Sequence, residues 1–180
     1  MRNFKFAPFI GILFTGIAFA GAGESDVVVQ PDQCVVQVKG VVCSFCAYGT
    51  EKNLSKLTFL NPAHYGNGVL MDIHANRITL ALAPGEFLDL KDIHKAIKKG
   101  GYDPIRVYLR LAGPIEKREG RTLITHTSNG QVFELTGSEL DPLAGKRSAD
   151  VQAYLDAEKI PSFLDREVIP IILEKVLADS

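Results

Sequence analysis

From Cys34 the chain alternates, with Cys34, Val36 and Val38 pointing one way and Val35, Gln37 and Lys39 the other. A period of two predicts a half-buried strand, and Gly40 supplies a turn to end it. The spacing then becomes helical. Ala47, Thr50, Leu54 and Leu57 share one face, with Glu51, Lys52, Ser55 and Lys56 outside it, which predicts a helix over Ser44 to Leu57. Asn61-Pro62 and Gly66-Asn67-Gly68 mark residues 58–68 as loop. Val69 to Ile73 and Arg77 to Leu82 predict a hairpin around His74-Ala75-Asn76. After Ala83-Pro84-Gly85, Asp89 is positioned to cap a second helix through Lys99, with Leu90, Ile93, Ala96 and Ile97 as its apolar face. Gly100-Gly101 ends that helix, and Ile105 to Leu111 returns to strand alternation.

The order β-α-β-β-α-β predicts an α+β fold with a ferredoxin-like domain over residues 34–112. Beyond Ala112-Gly113-Pro114 the pattern changes. Arg121 to Thr127 and Gln131 to Thr136 predict strands around Ser128-Asn129-Gly130, whose Asn-Gly is a hairpin signal. Ser148 to Lys159 fits strand or helix, and Pro170 within the apolar run Val168 to Leu177 argues against a helix interior. Residues 113–180 are therefore expected to form a small, mostly-β module, a five-stranded barrel of OB-like type.

The first residues carry a different signal. Arg2 and Lys5 open the chain, Phe6 to Ile17 is apolar, and Ala18-Phe19-Ala20 is a small-x-small end, the three parts of a secretory signal peptide. The apolar run is shorter than the ~20 residues of a spanning helix and is interrupted by Pro8, Gly11 and Gly16. The expectation is cleavage after Ala20 or Ala22, export to the periplasm, and no stable membrane span afterwards. Residues 21–33 read as a polar N-terminal extension. The charge balance of 20 Lys+Arg against 21 Asp+Glu gives no electrostatic case for a nucleic-acid partner. Three cysteines are too few for a disulfide scaffold.

Two of those cysteines carry the candidate chemistry. Cys43 and Cys46 are separated by two residues and straddle the expected start of the first helix. Unpaired N–H groups and the dipole at a helix start favour thiolate over thiol. Thiolates select soft ions such as Cu(I), Hg(II) or Zn(II) over magnesium or calcium. Two ligands are too few for a closed structural zinc site, so the pair suits an ion that is handed onward. Oxidation of the pair to a disulfide after export is the competing reading. Cys34 stands a strand's length away, ~20 Å at ~3.3 Å per residue, and reads as a buried, inert thiol. His64, His74, His94 and His126 form no ligand pair at helical or hairpin spacing; His64, in the long loop, is the one that could fold back towards a metal. No phosphate-binding loop, nucleophile elbow or paired acids suggest an enzyme. Glu139, Asp141, Asp150, Asp156 and Glu158 read as a solvated face.

Residues from about Val35 to Leu111 resemble the heavy-metal-associated domain family, which includes bacterial copper chaperones and the periplasmic mercury-binding protein. The resemblance rests on Gly40-Val41-Val42-Cys43-Ser44-Phe45-Cys46, on Thr50-Glu51-Lys52-Asn53-Leu54 in the following helix, and on Gly100-Gly101-Tyr102 after the second helix. It implies a metal held by Cys43 and Cys46, with Cu(I) the first choice. It also implies that Tyr102 lies beside the loop without coordinating, although a core or turn tyrosine fits the sequence equally. Val41 stands where the family usually has Met, which packs under the loop. The implied partners are a metal donor or acceptor protein, or a membrane metal transporter. The alternative is a non-enzymatic interaction protein with its cysteines oxidised.

Overall fold

A computed structural model describes residues 27–40, 44–138, 140–163 and 166–179. The proposed leader, Val41 and Cys43 lie outside the described residues. Eight strands form one sheet: β1 (Gln33–Lys39), β2 (Val69–Asp72), β3 (Arg77–Ala81), β4 (Asp103–Arg118), β5 (Arg121–Thr125), β6 (Val132–Thr136), β7 (Ser148–Asp156) and β8 (Ile169–Asp179). Among the described residues there are also two α-helices, α1 (Ser44–Leu54) and α2 (Leu90–Lys99), and 3-10 segments at Asp141–Leu143 and Ala157–Phe163.

The sheet corrects the expected architecture. Strands run in the order β2-β3-β1-β4-β5-β6-β8-β7, and β7 pairs back onto β4. That last pairing closes β4, β5, β6, β8 and β7 into a five-strand barrel, on which β1, β2 and β3 are an extension. The chain is mostly β and is not a ferredoxin-like βαββαβ domain. The physical reason is the length of β4. Residues 103–109 pair with β1, 106–114 with β7 and 115–118 with β5. The sequence pattern breaks at Ala112-Gly113-Pro114, but hydrogen bonding does not: Ile115 N–H donates to Arg147 O at 2.8 Å. A Cβ on Gly113 would stand 1.9 Å from Thr125 O, so only glycine lets β4 pass this close to the chain leaving β5.

A single apolar core runs through both parts. Val36 and Val38 of β1, Leu54 of α1, Ile93 and Ile97 of α2, and Ile124, Phe133, Leu155 and Ile171 of the barrel belong to one buried cluster. Asp89 caps α2 as expected, accepting from Asp92 N–H at 2.9 Å. α1 ends at Leu54, three residues earlier than its apolar spacing predicts, because Leu57 N–H turns back onto Leu54 O. α1 and α2 meet where Gly100 faces Thr50. Gly100 has φ −77° and ψ −6°, open to any residue, so its glycine is required by space and not by conformation.

The opposite face of the sheet is closed by chain that the sequence reading assigned to a polar extension. Val27 and Val29 are buried with Val35 and Tyr108, against Tyr154. Gln152, 1 % exposed, holds them. Its Oε1 accepts from Val29 N–H at 3.1 Å and its Nε2 donates to Val27 O at 2.6 Å. Asp150 and Asp156, read as solvated, pair with Arg110 and Arg106 across β4 and β7. The Arg110–Asp150 pair is bidentate and raises the Arg110 pKa, first through the hydrogen bonds to Asp150.

In open space Gly100→Ala would stabilise the chain, because alanine restricts the unfolded state. Here the new methyl would stand 1.8 Å from Thr50 Oγ1 and 2.9 Å from Thr50 Cα, so the variant is expected to lose about 1–3 kcal/mol in denaturant unfolding. Gln152→Ala strands the buried Val29 N–H and Val27 C=O and is expected to cost about 1–3 kcal/mol. Hydrogen exchange at Val29 should accelerate in that variant more than exchange in β6, where unchanged rates at both would contradict the clamp.

Candidate functional site

β1 delivers the chain to the thiol loop and α1 receives it. β1 ends at Lys39, and Gly40 turns with φ +93°, a backbone region closed to most side chains. α1 begins at Ser44, so Cys46 is its third residue. Cys46 is half-buried and packs against the main core. One turn on, Thr50 is fully buried against Gly100, which fixes the first turns of α1 against the end of α2. The loop's second thiol is thus held by a rigid helix pair.

The surrounding charges come from three elements. Lys39, at the end of β1, is in register with Asp103 at the start of β4. Lys98, near the end of α2, hydrogen-bonds the Asp103 carboxylate. That bond and then the Lys98 charge hold the Asp103 pKa below its ordinary value, against an opposing effect of desolvation and with the Lys39 charge as the least of the four causes. Lys99 is exposed. The β2–β3 turn lies at the same end, since Asn76 O accepts from Val38 N–H at 2.9 Å, and this turn carries exposed His74.

The other residues singled out from the sequence are distributed as follows. Tyr102 is 2 % exposed, within the main core just beyond Gly101. Cys34 is fully buried, and burial pushes its thiol pKa far above the ordinary value. His64 lies at the far end of β1, where Tyr65 OH accepts from Gln33 Nε2 at 2.9 Å and Asn61 N–H donates to Ala81 O. A seven-residue strand separates it from the loop, ~20 Å at ~3.3 Å per residue. The structure therefore does not bring His64 to Cys46. Among the described residues no group of three or more His, Cys, Asp or Glu could hold a metal ion. Cavities of about 370 Å³ and 790 Å³ open beside Phe87, Arg166 and Ile169, on the barrel side and away from the thiols.

Two features of this end escaped the sequence reading. Lys98 and Asp103 are five residues apart across a glycine turn, a spacing without regular periodicity. Phe45 and Tyr48 stand on the polar side of α1, 85 % and 62 % exposed. Their signal was available, since both fall off the face defined by Ala47, Thr50 and Leu54. Comparison with known proteins gives no match among family models, curated proteins or solved structures.

His94 supplies a pH test of the α2 support. Its pKa is lowered, first by burial and then by the Lys98 charge. The folded state therefore favours the neutral ring. That contribution is complete above the ordinary histidine value of about 6.5 and is lost as pH falls below it. Thermal unfolding followed from about pH 8 to about pH 5 should show less acid destabilisation in His94→Gln than in the parent. Parallel curves would refute the assignment.

Proposed function

We propose that the protein holds a soft metal ion, Cu(I) in the first place, between the thiolates of Cys43 and Cys46 for transfer or sequestration. The observation that carries this reading is the location of Cys46 in the first turn of α1, immediately after β1 and a glycine turn. A helix start offers unpaired N–H groups and a partial positive charge, the setting in which thiolates are favoured. Cys43, three residues earlier, supplies the second sulfur. Lys39, Lys98 and Lys99 add positive charge near an anionic bis-thiolate complex, with Asp103 offsetting part of it.

The resemblance of the Cys-x-x-Cys stretch to heavy-metal-associated domains supports the same reading from sequence, as does the apolar leader for an exported site of action. Soft sulfur ligands exclude magnesium and calcium as the cargo, and low coordination favours an ion that tolerates linear geometry. An ion bound by two sulfurs at the surface can be passed by ligand exchange to an incoming thiolate or thioether. A metal donor or acceptor protein, or a membrane metal transporter, would supply that ligand.

Titration of the reduced protein with Cu(I) against a chromophoric chelator is expected to give one equivalent bound. The Cys43→Ser, Cys46→Ser double variant should lose that binding while keeping the parent's free energy of unfolding within about 1 kcal/mol. Retention of tight binding by the double variant would end the proposal. Thiol counting on protein taken from its native compartment separates the alternative, because a persistent Cys43–Cys46 disulfide would assign the loop to an interaction protein.

A further inference from the structure

α1 presents two very different sides. Ala47, Thr50 and Leu54 are buried, whereas Phe45, Tyr48, Gly49, Lys52 and Lys56 are exposed. Residues three and four apart are neighbours on a helix surface, so Phe45, Tyr48 and Lys52 follow one another along one stripe of α1, and Lys56, past its end, lines a cavity with Glu86, Asp89 and Asp92. Phe45 and Tyr48 stand at the end nearest the thiols. Glu51 is the acidic residue of α1, and it accepts from Asn67 Nδ2 at 2.6 Å, which ties it to the loop before β2. The exposed stripe is therefore aromatic at its tip and basic at Lys52 behind it. Lys39 and Lys99 are exposed at the same end of the molecule.

From this arrangement we infer that the N-terminal end of α1 docks on an anionic lipid surface, with Phe45 and Tyr48 entering the headgroup region. Two exposed rings one helical turn apart suit a deformable interface, where aromatic side chains are enriched. Lysines drawn from β1, α1 and α2 form a diffuse positive field, which suits a charged surface better than a set of fixed carboxylates. The attraction is local, because the whole chain carries a net charge of only −1. The surface stands independently of the metal reading. Where both hold, docking brings the thiol loop to the membrane.

The chain contains no tryptophan, so Phe45→Trp gives a single reporter at an exposed position in the full chain. On metal-free protein, vesicles of phosphatidylcholine mixed with phosphatidylglycerol should shift its emission to the blue, and brominated acyl chains should quench it. Phosphatidylcholine alone should leave the emission unchanged. Lys52→Ala with Lys99→Ala, in the reporter background, should raise the lipid needed for half-saturation about tenfold, and salt should reverse docking. The apolar Phe6 to Ile17 run can bind vesicles by itself, but such binding does not desolvate residue 45. Co-sedimentation without an emission shift would therefore overturn the proposal, as would an equal shift with both lipids. A reporter indifferent to vesicles but shifted by an acidic amphipathic peptide would reassign the tip to a protein groove. Loss of Cu(I) binding in the cysteine variants bears on none of these outcomes.

Discussion

β4 is the strand on which everything else is hung. Between residues 106 and 109 it is paired on both edges, with β1 on one side and β7 on the other. Backbone N–H and C=O groups in such a stretch are satisfied only while both neighbours are in place, and leaving them unpaired in a buried setting is costly. The strand that closes the barrel is therefore also the strand that holds β1. Since β1 delivers the chain to Gly40, the point from which the chain enters the thiol loop is tied to the barrel through main-chain hydrogen bonds.

The other support of the loop is steric. Thr50 and Gly100 approach so closely that no side chain fits between them, and α1 is thereby seated on the end of α2. Among the described residues the buried Thr50 Oγ1 has no hydrogen-bond partner, at the tightest point of the helix crossing. Such close contact makes the first turns of α1 stiff, while the exposed stripe of the same helix is free to meet another surface. A rigid seat beneath and an unpartnered face above are what a delivery loop requires, because the ligand geometry can be preset while the approach stays open.

The local elements were legible because each followed its own period. Cys34 to Lys39 alternates and is β1; Leu90, Ile93, Ala96 and Ile97 recur helically and are the buried residues of α2. Asp89 could be recognised as a cap because its chemistry is local. The architecture was not legible, because Ala112-Gly113-Pro114 carries the composition of a break. Gly113 is in fact a close-approach residue within a strand, and Pro114 still has a register partner in Ser148. A break and a strand crossing over backbone use the same residues, and only the partner strand distinguishes them. Val27 and Val29 were missed for a related reason. Their burial depends on Gln152, more than a hundred residues away, and no local pattern encodes that contact. The thiol pair itself could be found from spacing, but its charged surroundings are assembled by strand register between Lys39 and Asp103.

That assembly bears on how a two-sulfur loop would behave. A thiolate pair carrying Cu(I) has a net negative charge, and the free pair, if both sulfurs ionise, has more. Lys39 and Lys98 both act on the Asp103 carboxylate, and Lys98 and Asp103 are already engaged with each other. Positive charge of this kind favours ionised sulfur in general and thus favours both metal capture and oxidation. Electrostatics cannot choose between these fates, so the choice falls to geometry. A disulfide needs the two sulfurs to close to about 2 Å with the Cα atoms near 5.5 Å, whereas a linear ion holds them roughly twice as far apart.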